Sequence, residues 1–345
     1  MQIPNAFEET ISVLDNNWLH LGMSVSVDTT SIGLLPKRKI WQGEPCQKVC
    51  FDLLTGGLGD AVRSWRVAQA ALATQRVEQV IYRIWPQRRF LIGQEEWFSW
   101  EDPLPDVPFF PAVHVFARLC ISPYPQVPLL QQVEHQLQLP KGSIQKTSFA
   151  VSPEDFQHSK DQLLQFGWTG GRCIAVQLDD IPISQVASPW NDFKRAKCQP
   201  AALLQLAKHR CLPEDFMFAI GYGTSGLTIP DLRNGDLRSL LGLIAVADLL
   251  FCADSGPQHL AALVATPSVV LFGPSDPNIH LADPTFEVVQ TNSCKHQPCG
   301  AGSLYGMPLE TSGPMLPGHG KLEAKPLPCP NGEIGRCLFP VDAKV

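Results

Sequence analysis

Residues 240–277 read LLGLIAVADLLFCADSGPQHLAALVATPSVVLFGPSDP, and this stretch decides the fold. An apolar helical pattern runs to Ala247, and the buried strand Leu249 to Ala253 follows it. A tight loop then leads into a helix from Pro257 and a second buried strand, Ser268 to Phe272. Strands that alternate with helices of this length predict a parallel, doubly wound sheet.

The same alternation extends toward the amino terminus and divides into two sets. The set next to the opening stretch comprises strand Ile174 to Leu178, helix Pro200 to Lys208, strand Phe216 to Ile220 and helix Asp236 to Ala247. An earlier set comprises an apolar run from Val49, a glycine turn, a helix from Asp60 and strand Gln79 to Trp85. Each set predicts its own α/β domain, with the loops after the strands at one edge of the sheet.

The chain length of 345 residues fits two such domains. We expect an extension over residues 1–45 and a first Rossmann-like domain over 46–170. We expect a second Rossmann-like domain over 171–290 and a tail rich in Cys, Gly and Pro over 291–345. A helix from Asp155 to Phe166, ended by Gly167-Trp-Thr-Gly-Gly, places the predicted boundary near residue 170.

Composition and charge exclude several classes of protein. Hydrophobic residues make up 44% of the chain, enough for two cores. The formal net charge of −6 argues against a protein that binds nucleic acid by neutralising phosphates. The first residues do not resemble a secretory signal, and the longest apolar run, Leu240 to Ala247, is too short to span a bilayer. We therefore expect a soluble, cytoplasmic protein that is at most peripheral to a membrane.

The loop after strand 249–253 predicts an anion site. Ser255 and Gly256 lie between the strand and the helix, and Pro257 suits the first helical turn. Unpaired N–H groups and the helix dipole favour an anion there, Gly256 allows close approach, and Asp254 and His259 flank the turn. Ser255 could instead be an ordinary helix cap. A second glycine loop, Gly273-Pro-Ser-Asp-Pro, at the adjacent strand end favours a ligand site.

The loop after the first strand carries Gly57-Leu-Gly59-Asp60. A carboxylate at the tip of a glycine loop can accept a proton from an attacking hydroxyl as a general base. The alternative role of Asp60 is that of a helix-capping residue, which Asp often fills.

These motifs together resemble glycosyltransferase family nine, the lipopolysaccharide heptosyltransferases. The resemblance rests on Asp254-Ser-Gly-Pro-Gln-His-Leu-Ala-Ala, on Leu271-Phe-Gly-Pro-Ser-Asp-Pro and on Gly57-Leu-Gly-Asp60. It implies a GT-B fold, in which two Rossmann-like domains face each other across a cleft. It further implies inverting transfer of a sugar, a heptose by family default, from an ADP-sugar to a saccharide or lipid-linked acceptor. Asp60 matches the family's base, and the chemistry requires no cofactor.

The resemblance also implies a lysine that stabilises the leaving diphosphate. Lys197, followed by Pro200 and two leucines, is the best match, although Gln199 replaces the family's Trp and either Lys194 or Arg195 could serve instead. The segment Gly221 to Gly226 contains no carboxylate for the ribose hydroxyls of the donor, so the sequence leaves the identity of the base open.

Four cysteines in the tail form two pairs. Cys294 and Cys299 have four residues between them, and Cys329 and Cys337 have seven. Family members with similar pairs suggest a structural zinc or iron site, yet the second pair is wider than metal ligands usually are. Thiols without a metal, or a disulfide, remain the alternatives.

Three functions are compatible with these residues. The first is an inverting glycosyltransferase. The second is a non-catalytic protein that binds a nucleotide-sugar, and the third is a nucleotide-sugar epimerase or hydrolase with the same two-domain plan.

Overall fold

The computed structural model describes residues 39, 41–54, 57–93, 95–98, 106–110, 116, 127–179, 199–223, 226–291, 294–297 and 336–338. These residues form two compact units, the first ending at Thr147 and the second beginning at Ser148. Most of the expected extension, the lysine candidates Lys194 and Lys197 with Arg195, and Cys299 and Cys329 lie outside the described residues.

Unit 1 is a four-stranded parallel sheet covered by helices. Its strand order is β3-β2-β1-β4. The elements in chain order are β1 (Cys46–Leu53), α1 (Leu58–Ala73), β2 (Val77–Ile84), a 3-10 turn (Pro86–Leu91), β3 (Glu96–Phe98), β4 (Phe109–Phe110) and α2 (Leu129–Gln136). The end of β1 and most of α1 are buried, since alanines and valines on the helix allow it to lie close against the sheet.

Unit 2 is a five-stranded parallel sheet with the order β6-β5-β7-β8-β9. Its elements are α3 (Pro153–Gln165), β5 (Cys173–Gln177), α4 (Pro200–Arg210), β6 (Phe216–Ile220), α5 (Leu237–Val246), β7 (Leu249–Ala253), α6 (Gly256–Val264), β8 (Ser268–Phe272), α7 (Pro277–His280) and β9 (Glu287–Gln290), followed by a 3-10 turn (Arg336–Leu338). Strands β5 and β8 are buried along their whole length, as continuous apolar runs in a parallel sheet should be. The predicted α/β class with two doubly wound parallel sheets is confirmed.

The division between the units differs from the expected boundary near residue 170. Helix α3 was assigned to the first domain, but it lies in unit 2 and packs on α5. The approach is close: a Cβ on Gly242 of α5 would lie 2.3 Å from the Oγ of Ser159. Arg238 of α5 also donates a 2.8 Å hydrogen bond to Asp155 of α3. These contacts join residues far apart in sequence, so helical periodicity alone could not assign α3.

Among the described helices, none has the length and apolarity that crossing a bilayer requires.

Candidate functional site

Both units place their glycine loops where the strand order reverses. In unit 2 the chain passes from β5 to β6 on one side and then to β7 on the other, so the sheet reverses between β5 and β7. In unit 1 the reversal lies between β1 and β4. Ligands of open parallel sheets bind at the carboxyl ends of the strands at this point. Each unit therefore has a candidate site in the loop that follows its central strands.

The loop after β7 leads directly into α6. Ser255 has an extended backbone, with φ −158° and ψ −176°, and its side chain does not cap the helix. Gly256 and Pro257 form the first turn, and Pro257 has no N–H to satisfy. The first N–H groups of a helix have no carbonyl partner within it. The turn can therefore donate main-chain hydrogen bonds to an anion, with the helix dipole in support.

Gln177, the last residue of β5, holds this turn in place. Its Oε1 accepts hydrogen bonds from the N–H of Ala253, at 3.1 Å, and from the hydroxyl of Ser255, at 2.9 Å. The Gln177 side chain is fully buried and spans the point where the strand order reverses. Sequence reasoning did not single out this residue, because its partners lie more than seventy positions away.

Asp254 and His259 also lie at this turn and are buried. The Oδ1 of Asp254 accepts a 2.8 Å hydrogen bond from the Nε2 of Gln258, and the Oε1 of Gln258 accepts from the N–H of Ala282 at 3.1 Å. Gln258 and Asp254 thus tie the first turn of α6 to the segment that follows α7. The structure brings together Asp254, Ser255, Gly256, Pro257 and His259, and their part in binding a ligand stays a prediction.

The second glycine loop follows β8, the neighbour of β7. Gly273 is buried, and its carbonyl accepts a 2.9 Å hydrogen bond from the Nε2 of Gln297. Ser275 is only 4% exposed, and its hydroxyl has no hydrogen-bond partner among the described residues. Leaving a buried hydroxyl unsatisfied costs about 1–3 kcal/mol, which a bound ligand could recover. In the sequence, Ser275 could have been identified as a candidate because it lies two positions after Gly273 in the same loop.

A third loop, after β6, is connected to the turn after β7 through Asp179 and Gln177. The N–H of Tyr222 donates a 2.6 Å hydrogen bond to the Oδ1 of Asp179. The Oδ2 of Asp179 accepts from the Nε2 of Gln177. The segment from Gly221 to Gly226 has no carboxylate of its own, and the structure supplies one from the end of the neighbouring strand. This carboxylate already accepts two hydrogen bonds from the protein itself.

In unit 1, Asp60 lies in the first turn of α1. Its Oδ2 accepts a 3.0 Å hydrogen bond from the N–H of Gly57, the residue that caps the helix. Its Oδ1 lies 3.7 Å from the Nη1 of Arg63. The Asp60 side chain is 14% exposed. The capping role that the sequence left open is therefore present, and the catalytic role stays a prediction. Gly59 lies on the same turn.

The turn before Asp60 is fixed by side chains that the sequence analysis did not identify. The Oδ1 of Asp52 accepts a 3.1 Å hydrogen bond from the N–H of Leu54. The Nη1 of Arg88 donates to the carbonyl of Leu53 at 2.7 Å and to that of Leu54 at 3.3 Å. Because Arg88 comes from the 3-10 turn after β2, the carboxyl ends of the two central strands are fastened together.

Two of the four tail cysteines are described. Cys294 and Cys337 are both buried and belong to one apolar cluster with Leu338 and Val289. The hydroxyl of Thr291 donates a hydrogen bond to the carbonyl of Cys337. Within the part of the chain that the structure describes, no three His, Cys, Asp or Glu side chains are grouped so that they could hold a metal. The remaining two proposed ligands, Cys299 and Cys329, lie outside that part.

Comparison with known proteins gives one family and several solved structures. Residues 234–301 match the model of glycosyltransferase family 9 (heptosyltransferase), which confirms the resemblance inferred from the two glycine loops of unit 2. No curated protein matches the chain.

The chain is similar to a glycosyl transferase family 9 protein from Veillonella parvula, with 12% identity, coverage of 70% of this chain and 85% of that one, and a TM-score of 0.47. It is similar to the iron-containing dodecameric glycosyltransferase TibC from enterotoxigenic E. coli, with 12% identity, coverage of 74% and 67%, and a TM-score of 0.44. It is also similar to the E. coli ADP-heptose lps heptosyltransferase II, with 15% identity, coverage of 72% and 92%, and a TM-score of 0.42.

Proposed function

We propose that this chain is an inverting glycosyltransferase of the GT-B type that moves a sugar from a nucleoside-diphosphate donor to a saccharide or glycolipid acceptor. One observation supports the proposal most strongly. The segment that matches the glycosyltransferase family contains a helix whose first turn is not capped by its own side chains, at the reversal point of a parallel sheet. Main-chain donors in that position suit a diphosphate.

In this proposal unit 2 binds the donor. The diphosphate accepts hydrogen bonds from the first-turn amides of α6, and the buried hydroxyl of Ser275 donates another from the adjacent loop. Gln177 orients the turn by holding Ser255. Since one helix terminus contributes only about 0.3–1 kcal/mol per charge, further donors are needed. Lys197, or Lys194 or Arg195, would supply the remaining positive charge.

Transfer itself is a displacement at the anomeric carbon. The acceptor hydroxyl oxygen forms a bond to that carbon while the bond from the carbon to the diphosphate oxygen breaks, and the diphosphate leaves with the electron pair. Asp60 accepts the hydroxyl proton, which contributes about 10²–10⁴-fold to the rate. Inversion at the anomeric carbon follows from a single displacement. No step requires a metal.

The donor and acceptor follow from the family resemblance. An ADP-sugar, a heptose by default, is the proposed donor, and a lipid-linked or cell-surface saccharide is the proposed acceptor. An acceptor of this kind would place the protein in the cytoplasm or at the inner membrane surface.

A second candidate, a non-catalytic protein that binds a nucleotide-sugar, is favoured by one contact. The carboxylate of Asp60 is already engaged with the N–H of Gly57, which is the arrangement of a structural cap. A nucleoside-diphosphate release assay with an ADP-sugar separates the candidates. Release that requires an acceptor supports the transferase, and binding without release supports the second candidate. Release without an acceptor identifies a hydrolase, and conversion of the sugar without release identifies an epimerase.

A structural zinc or iron in the tail is part of the proposal. The two described thiols, Cys294 and Cys337, fit such a site because the fold brings them into one buried cluster although they are distant in sequence. Cys299 and Cys329 would complete the ligand set. The metal would hold the tail to unit 2 and take no part in transfer. We expect about one bound metal per chain in protein purified without chelator, lost in Cys294→Ser and kept in Cys46→Ser, which alters a half-buried thiol of unit 1.

A further inference from the structure

The loop after β6 presents an exposed aromatic ring at the edge of the sheet where the donor is proposed to bind. Tyr222 is 58% exposed. It follows the carboxyl end of β6, and β6 pairs with β5 along its whole length. An exposed ring at this edge has no role in the core of unit 2. Its surroundings indicate what it could bind.

The backbone on both sides of Tyr222 is held by side chains. Gly221 has a φ of +110°, and a Cβ at this position would lie 2.2 Å from the Oδ1 of Asp179. The Oδ1 of Asn234 accepts from the N–H of Gly223 at 3.1 Å, and the Nδ2 of Asn234 donates to the carbonyl of Gly223 at 2.7 Å. The loop is therefore preorganised, and little conformational entropy is lost when a ligand meets the ring.

A chain of hydrogen bonds connects this loop to the first turn of α6. The hydroxyl of Ser255 donates to Gln177, the amide of Gln177 donates to Asp179, and Asp179 accepts from the N–H of Tyr222. The chain crosses from β7 over β5 to β6. Two strand spacings amount to about 10 Å, a distance comparable to the span of a ribose and a base.

In the opposite direction along the sheet edge, the loop after β8 is bound by Gln297. The carbonyls of Phe272 and Gly273 accept hydrogen bonds from Gln297, at 3.2 and 2.9 Å, and Ser275 is buried. A nucleoside attached to a diphosphate at α6 would therefore extend toward β6 and meet Tyr222.

Asp179 accepts from the N–H of Tyr222 with one oxygen and from Gln177 with the other. Both of its oxygens hold the loops together, which leaves fewer lone pairs for ribose hydroxyls. In the described part of this loop, Tyr222 presents an exposed aromatic face, and every nucleobase offers a face that can stack.

Building on the function proposed above, we infer that Tyr222 is the platform on which the base of the donor nucleotide stacks. Stacking of a base on an aromatic side chain tolerates any base. The chain therefore binds purine and pyrimidine nucleoside diphosphates with similar affinity, and its selectivity for the donor comes from the sugar rather than from the base.

The test is isothermal titration of the full chain with ADP, GDP, UDP and inorganic pyrophosphate. We expect Tyr222→Ala to lower the affinity for each of the three nucleotides by about 5- to 150-fold, the range that corresponds to loss of one stacked base. Tyr222→Phe keeps the ring and should bind as the wild type does. Pyrophosphate has no base, so its affinity should be the same in all variants. Leu212→Ala is the matched control, since Leu212 is 55% exposed in the loop at the other end of β6.

Three results would overturn the inference. If Tyr222→Ala binds ADP as the wild type does while pyrophosphate still binds, the ring is not the platform. If Tyr222→Ala lowers the affinity for only one nucleotide, recognition is specific to that base and stacking is not the explanation. If neither pyrophosphate nor any nucleotide binds the wild-type chain, the proposed function itself fails and the inference fails with it.

Discussion

Helices α1 and α6 both begin beside the reversal point of their sheets, α1 after the strand on one side of it and α6 after the strand on the other, and their amino termini differ in charge. Each begins at a glycine turn beside the reversal point of its sheet. In α1 the carboxylate of Asp60 reaches back to the N–H of Gly57. In α6 the equivalent position is Gln258, whose amide turns to Asp254, and the Ser255 hydroxyl donates to Gln177. One helix carries its own anion, and the other has no acidic side chain in its first turn, where we expect a ligand to bind.

The difference shows how one supersecondary unit can serve two roles. A helix amino terminus stabilises one nearby negative charge, and the identity of that charge depends on the side chain at the third helical position and at the cap. With an acidic residue at the third helical position, the first turn binds that residue's own carboxylate. With a neutral side chain at that position, bound to another group, the first-turn N–H groups are left to bind an anion from a ligand.

The largest expected effect concerns the acid of α1. Asp60→Asn keeps an oxygen that can accept from the Gly57 N–H but removes the base. Transfer should fall by about 10²–10⁴-fold, while donor affinity and thermal stability stay close to those of the wild type. Initial rates with a saturating acceptor and a melting curve measure both. An unchanged rate would make Asp60 a cap only and would favour the non-catalytic alternative.

The next effect concerns the loop after β6 in unit 2. Gly221→Ala places a methyl group against Asp179 at a backbone angle that alanine resists, and we expect a loss of about 2–3 kcal/mol in the free energy of unfolding. Gly170→Ala is the control: its φ is +93°, but a Cβ there has nothing within 4 Å. It should cost about 1 kcal/mol. Equal losses in denaturant titrations would mean that the contact with Asp179 is unimportant.

A smaller change should convert the α6 terminus into one that resembles α1. In Ser255→Asp, a carboxylate can accept from the first-turn amides and repel a diphosphate. We expect about tenfold weaker binding of pyrophosphate and ADP, or about 1.4 kcal/mol. Ser255→Asn caps the helix without charge and should weaken binding less. If both variants bind equally, charge at this turn does not govern anion binding.

The smallest effect concerns α3, the helix that precedes the sheet of unit 2. Partial burial raises the pKa of the Asp155 carboxyl, but hydrogen bonds from Arg238 and Ser152 outweigh this and hold its pKa below the usual range. A carboxyl whose pKa is lower in the folded chain stabilises the fold at pH values above its pKa in the unfolded chain, about 3.9. This stability is lost as the pH falls through its pKa in the folded chain. Because the Arg238 side chain is 58% exposed, the contribution of the pair is below about 1 kcal/mol.

Arg238→Gln should therefore lower the free energy of unfolding by less than about 1 kcal/mol at pH 7, and this loss should shrink toward zero as the pH falls through the pKa of Asp155 in the folded chain. Lys48→Gln removes a comparable surface pair, with Glu96, from unit 1. If the units unfold in separate steps, the two variants should shift different transitions. A shift of the same transition by both would place α3 with unit 1.

The sequence predicted what depends on local pattern. Strands Phe216–Ile220, Leu249–Ala253 and Ser268–Phe272 were identified to the residue, since apolar runs bounded by turn residues are read directly from the chain. The first turn of α6 was also found, because Gly256 and Pro257 punctuate it.

The sequence did not predict what depends on long-range contacts. Gln177 and Asp179 look like ordinary polar residues at the end of a strand, and only the order of the strands brings them to Ser255 and Tyr222. The position of α3 in unit 2 depends in the same way on its packing against Gly242. Strand β9 was missed because its alternating burial gives a weak pattern over four residues.

Cys252 has a practical consequence. It lies in β7 just before the turn of α6 and is fully buried, and this burial, with the nearby charge of Asp254, raises the pKa of its thiol well above the usual range. A thiol in that state hardly reacts with alkylating reagents while the strand is covered. Covalent labelling of Cys252 would therefore report how often β7 opens in the native protein, and slower labelling with a nucleotide present would mark that nucleotide as a ligand without any assay of turnover.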